Sequence, residues 1–260
     1  MTANRAGIIA TAINSRQIQF IILHHCMDLP IFSDNLKSSA SWADLLARAR
    51  VAWDQARQSP DLRSQIESRV RQEQVKQMLR RAGQGIDEQR LLEAAELVSA
   101  WAADPEATLD AERVLELHRT IIGAPVDADV LRKTEPLPIN AMHDPTPALL
   151  LPRMLDNAFD WFSTESFKDL HPVERAAVVY LRLLDLYPFS AHTETTAALA
   201  ASFYTEREDL PPLVIFADET TLARYAHALE AAFRMLTQPL VELFAEMLTR
   251  AMRIGLDVER

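Results

Sequence analysis

The sequence predicts an all-α fold, and three observations carry that prediction. Only 5 of the 260 residues are glycine, while Ala, Leu, Glu and Arg recur throughout, so helix formers dominate and turns that need positive φ are few. Apolar residues return every three or four positions in one segment after another. Proline and glycine fall at the ends of those segments, as helix starts and stops do. The 48% hydrophobic and 25% charged content is that of a globular protein.

The first 40 residues stand apart as an N-terminal arm, and residues 41–260 read as one helical domain. The arm's apolar runs, 7–13 and 20–23, are separated by Asn14, Arg16 and Gln17, and neither reaches the ~20 residues of a membrane span. One early Arg and a poor cleavage pattern argue against a signal peptide. A first helix is expected from about Trp42 with Ser41 as its cap. A second runs from Pro60 to Gly83, and its Arg and Lys, mixed with Glu67 and Glu73, read as a solvated face. Asp87 caps a third, whose Leu91, Leu92, Ala95, Leu97 and Trp101 form one apolar face. A fourth lies between Thr108 and Gly123. Six prolines between 125 and 152 forbid a long helix there and predict an extended loop or a short hairpin. Helical spacing returns at 153–162. From Ala176 to Leu186 the chain is apolar nearly all round, as a central buried helix is. Small residues from Ala197 onward allow close helix contact, residues 210–219 read as a turn or strand-like link, and two amphipathic segments, about 218–236 and 238–254, complete the chain.

Charge and cysteine usage exclude several functions. A net charge of -10 is unsuited to non-specific nucleic-acid binding, which needs clustered Lys and Arg. Cys26 is the only cysteine, so there is no disulfide framework and no zinc-type pair, and a reducing, cytoplasmic setting is expected. His24, His25 and Cys26 are adjacent but have no second cluster, so no metal site is expected. His118, His171 and His227 sit in helical segments and read as structural.

The polar loop "SAHTET", residues 190–195, interrupts two buried helices and is the first candidate for chemistry. Pro188 stops the preceding helix, and either Ser190 or Thr193 starts the next. A fresh helix N-terminus offers unpaired N–H groups and a positive dipole end, which suit a phosphate.

This arrangement resembles the Fic (Fic/Doc, Fido-domain) family, whose motif HPFxx-GNGR-xxR lies between two central helices of an all-α bundle. The resemblance extends over about residues 86–250. "LHPVERAAVVYLRLLDLYPF" is similar to the helix before the motif, "VLELHRTIIG" to the helix before the target flap, and "LRKTEPLPI…TPALLLPRMLDNAFDWF" to the flap and the helix after it. "YTEREDLPPLVI" and "LARYAHALEAAF" match the downstream texture. The resemblance implies transfer of AMP from ATP, with Mg²⁺, to a protein hydroxyl, and a target protein docking on a flap that here contains Leu137, Pro138 and Ile139. Pro188 and Phe189 keep the motif's turn and apolar anchor. The other positions depart from it. Tyr187 stands where the family has its general-base His, and Ala191 where an acid commonly holds Mg²⁺. His192, Thr193 and Glu194 replace Gly-Asn-Gly, and Thr195 and Ala198 replace the two Arg.

Those substitutions predict lost chemistry on a kept frame. A phenol is a poor base at neutral pH, where an imidazole is well matched. Side chains at 192 and 194 bring Cβ atoms where glycine allowed positive φ or close approach. Glu194 sets a carboxylate beside the phosphate position, although near a helix N-terminus it favours the fold. The expected function is therefore a Fic-like protein with a vestigial nucleotide loop, acting as a binding or regulatory module. The alternative is an adenylyltransferase-like enzyme that uses Tyr187 or His192 on the same or another phosphate-containing ligand. A third reading is a scaffold that docks an extended peptide on residues 133–147.

Overall fold

Helix ends in the computed structural model, which describes residues 40–82, 85–136 and 143–257, fall largely where caps and breakers predict them. The order is α1 (Ala40–Ala56), α2 (Pro60–Ala82), α3 (Glu88–Ala103), α4 (Ala111–Ile122), a 3₁₀ turn (Ala148–Leu150), α5 (Leu151–Phe162), α6 (Glu165–Lys168), α7 (Pro172–Leu186), α8 (Thr193–Glu206), α9 (Glu219–Phe233) and α10 (Gln238–Leu256). The fold is all-α, and no strand occurs among the described residues. Nearly all of the N-terminal arm, including His24, His25 and Cys26, lies outside them, as do Leu137, Pro138 and Ile139.

Local chemistry accounts for the boundaries. Asp87 caps α3 by accepting the Arg90 N–H, and Gly123, at φ 65, closes α4 in the left-handed region. The start of α4 differs from the expected Thr108. Asp110 is its cap and accepts the Arg113 N–H at 2.8 Å, because a carboxylate placed one residue before the helix reaches that donor directly. His171 opens α7 with a capping box: its Nδ1 accepts from Val173 N–H and Glu174 returns a bond to the His171 N–H, ahead of Pro172.

α7 is the central helix. Ala176, Ala177, Val179, Tyr180 and Leu183 are all buried, and α8, α5, α9 and α10 pack round it. Ala197, Ala198, Ala200 and Ala201 let α8 sit close against α7, with α3 and α4 on its other sides. Residues 210–216 run buried and extended along this core. Their backbone is satisfied in part from α8, where Ser202 Oγ accepts the Leu213 N–H at 3.0 Å and Thr205 donates to the Pro211 carbonyl at 2.9 Å, and in part from α2. Gln74 Nε2 donates to the Leu213 carbonyl at 3.1 Å and to Ser202 Oγ at 2.9 Å, and Gln77 Oε1 accepts the Ala217 N–H at 2.9 Å. Arg63, Arg69, Lys76 and Arg80 of α2 are exposed, as a solvated charged face is, while the other side of that helix supplies buried polar groups that burial requires to be paired.

α1 is fixed by Trp53, whose indole donates to the Asp209 carbonyl at 2.9 Å, and by Arg57, which bonds the same carbonyl and Glu67. α10 passes next to it at Gly255. A Cβ there would lie 2.8 Å from the Trp53 ring, 2.9 Å from Ile66 and 3.1 Å from Val70. Gly255→Ala gains about 1 kcal/mol of helix propensity but overpacks a rigid contact at a cost of about 1–3 kcal/mol. The expected net result is a lower urea midpoint; an unchanged or raised midpoint would show that the three helices yield freely.

Candidate active site

The α7–α8 loop is held in an unusual backbone path by groups from elsewhere in the fold. Tyr187 closes α7 at φ 47 and His192 precedes α8 at φ 57, both left-handed. For non-glycine residues that conformation costs about 1–2 kcal/mol each, so it needs fixed neighbours. Arg132 supplies most of them. Its guanidinium, 1% exposed, donates to the Tyr187 carbonyl at 2.6 Å and the Leu186 carbonyl at 3.4 Å. It also donates to the carbonyls of Thr134 and Thr146 and to Glu135, while its own N–H donates to the Pro188 carbonyl at 2.9 Å. The last carbonyls of a helix have no intrahelical partner and form its negative pole, and a buried cation answers both needs.

Inside the loop, Pro188 is buried and Phe189 is 1% exposed. The Phe189 ring stacks on His118 of α4 with centroids 3.6 Å apart. Thr193 Oγ1 accepts the Phe189 N–H at 3.3 Å and donates to the Phe189 carbonyl at 3.2 Å. Thr196 Oγ1 donates to the His192 carbonyl at 3.1 Å. Its single hydrogen is thereby used, so His118 Nδ1, 2.9 Å away, carries a proton and donates to it. Burial, with a lesser contribution from His192, pushes the His118 imidazole down to about 3.

That shift sets a pH dependence. The unfolded imidazole binds a proton below about 6.5, while the folded one stays neutral down to about 3. The stabilisation is complete above 6.5 and is lost as pH falls toward 3. Glu206, raised to about 7 by burial against the bond from Ser99 and the charge of Arg71, acts with the opposite sign over the same range, so the effect is read as a difference. The stability advantage of the native chain over His118→Gln should shrink by about 2 kcal/mol between pH 7 and pH 5, measured by urea unfolding. An advantage independent of pH would contradict a neutral buried His118.

Beside the loop lies a cleft of about 690 Å³. Of the expected site residues it gathers Tyr187, His192, Thr193, Glu194, Thr195 and Ala198, together with Ser190. Pro188 and Phe189 serve the frame instead, and Ala191 is exposed beyond the lining. The opposite wall is formed by Met78, Arg81, Ile215, Tyr225 and Leu229. Arg81 forms an ion pair with Glu194 and lies over the Tyr225 ring, 4.5 Å from its centroid. Tyr180 donates to Glu194 at 3.3 Å and its phenol oxygen is 2.6 Å from that of Tyr225. Burial pushes Tyr180 up to about 12, against the pull of Arg81, and raises Tyr225 well above the usual phenol value, so both phenols keep their protons. Arg132, Arg81, Tyr180 and Tyr225 are absent from the sequence reading. Arg81 lies 113 residues from Glu194, Arg132 55 from Tyr187 and Tyr225 45 from Tyr180, and none of the four stands in a pattern that marks it.

The wall does not fit Mg²⁺ or a triphosphate. Ala191 has no ligand atom, Thr195 and Ala198 provide no cation, and the one carboxylate among the described lining residues, Glu194, is engaged by Arg81 and Tyr180. The fold and the site together define the class: an all-α bundle with a pinned loop between its two central helices, opening on a cleft at the start of the second.

Residues 108–205 match the family model of the Fic/DOC family and form a domain of that family. "Protein adenylyltransferase fic-1" of Caenorhabditis briggsae is 30% identical over 121 residues, 46% of this chain and 23% of that protein. "Protein adenylyltransferase Fic" of Nematostella vectensis is 29% identical over 126 residues, 47% of this chain and 29% of the relative. The matched stretch thus spans under a third of either relative. In solved structures, a Fic-domain signalling protein of Bacteroides thetaiotaomicron shares the fold at a TM-score of 0.71 and 17% identity, over 82% of this chain and 97% of its own. A fragment of Fic-1 from Caenorhabditis elegans shares it at 0.58 and 20%, over 95% of this chain and 78% of the fragment.

Proposed function

We propose that this chain is a cytoplasmic Fic-family protein that does not transfer AMP efficiently and works as a binding or regulatory module. The observation that carries this reading is the contrast within one loop. Arg132, His118 and Thr193 hold its frame, whereas Tyr187, Ala191, Thr195 and Ala198 stand at the reacting and phosphate-holding positions of the family motif. Glu194 adds a further obstacle, because its carboxylate is tied to Arg81 inside the cleft. Incubation with labelled ATP and Mg²⁺ should label neither the chain nor an added protein. Label on either would overturn the reading.

One observation favours a second reading. Tyr187 and His192 both line the cleft, and burial lowers the His192 imidazole, which keeps it unprotonated at neutral pH as a base must be. An enzyme built on them would lose turnover in Tyr187→Phe and His192→Ala. A nucleotide panel without any turnover removes this alternative. For partners, the segment containing Leu137, Pro138 and Ile139 is the proposed docking site for a target protein. Retention of every pulled-down partner after deletion of residues 133–147 would count against it.

A further inference from the structure

Among the described residues, two formally charged side chains line the cleft, and they neutralise each other. Arg81 comes from the end of α2 and Glu194 from the first turn of α8. Tyr180 of α7 and Tyr225 of α9 complete the group, so every helix bordering the cleft contributes one member. Hydrogen accounting closes it: the Tyr180 hydrogen goes to Glu194, so the Tyr225 phenol donates to the Tyr180 oxygen. The two charges are unequally placed. The Arg81 side chain is 12% exposed and that of Glu194 45%. An incoming ligand therefore meets a carboxylate first, with the guanidinium behind it and stacked on Tyr225. A phosphate would have to approach that carboxylate at short range, or take Arg81 from it and leave Glu194 without its partner. The other described lining residues are uncharged, with Ser190, Tyr187 and Thr195 offering hydroxyls among apolar neighbours. Its volume is that of an ordinary small-molecule site.

The geometry points to a charge filter: the Arg81–Glu194 pair admits an uncharged, hydroxyl-bearing ligand of nucleoside size and excludes its phosphorylated form. This rests on the reading of the chain as a binding module derived from an adenylyl-transferring fold, which makes adenosine the probe. Isothermal titration of the full chain should show adenosine binding and ATP binding weaker by a factor of about ten or more. Glu194→Gln keeps an acceptor for Tyr180 but releases Arg81. It should improve ATP binding about tenfold and leave adenosine nearly unchanged, whereas Glu194→Asp, which keeps the charge, should still exclude ATP. The filter is overturned by ATP binding the native chain as tightly as adenosine, by no binding of adenosine, or by a Glu194→Gln chain of unchanged melting temperature that discriminates as before. AMP transfer by the native chain would instead overturn the reading in the preceding subsection, so the two failures are distinguishable.

Discussion

Arg132→Met lowers the unfolding free energy by about 3 kcal/mol and releases the α7–α8 loop. The buried guanidinium satisfies carbonyls of Leu186, Tyr187, Thr134 and Thr146, and methionine keeps the stem's volume while removing every donor. Each buried acceptor left without a partner costs about 1–3 kcal/mol, moderated wherever water can reach it. Arg132→Lys should recover little, because one ammonium cannot span carbonyls on opposite sides of a planar fork. The urea midpoint reads both variants. A Lys variant as stable as the native chain would mean that charge alone, and not the fork, holds the loop.

Phe189→Ala is expected to cost about 3–5 kcal/mol. The ring is almost wholly buried and covers the His118 face at 3.6 Å, so truncation leaves a cavity directly beneath the loop. Phe189→Leu, which fills most of that space, should cost about 1–1.5 kcal/mol. The pair of variants separates packing from any role of the loop backbone, which both leave alone. A loss below about 1 kcal/mol for the alanine variant, seen in thermal or urea unfolding, would show that α4 can close on the loop.

Much of the architecture was legible in the sequence because helix starts and stops are local. Pro60, Asp87, Gly123 and the His171–Pro172 pair each act within a turn of their own position, and the nearly unbroken apolar run of α7, interrupted by Arg182 and Asp185, announces a central helix. The loop was legible for the same reason: Pro188 and Phe189 are neighbours of the residues they position, and the left-handed backbone expected near position 192 is found at His192. The misreadings arise from partners distant in the chain. Arg81 and Glu194 are 113 residues apart, so Glu194 read as a free charge, although the structure shows it paired. The buried role of Gln74 and Gln77 in α2 was not legible for a related reason, since mixed Gln, Arg and Glu carry no sign of which side faces residues 210–217. Arg132 stands in a proline-rich stretch without periodicity, where no pattern separates a buried arginine from an exposed one.

The central claim is a kept frame with vacated chemistry, and side-by-side incubation with labelled ATP and Mg²⁺ tests it most directly. One chain is native. The other carries the family motif at the cleft through Tyr187→His, Ala191→Asp, His192→Gly, Thr193→Asn, Glu194→Gly, Thr195→Arg and Ala198→Arg, and is checked for a cooperative thermal transition. The expected result is label incorporated by the restored chain and none by the native one. Label incorporated by the native chain, and lost in Tyr187→Phe, would contradict the account.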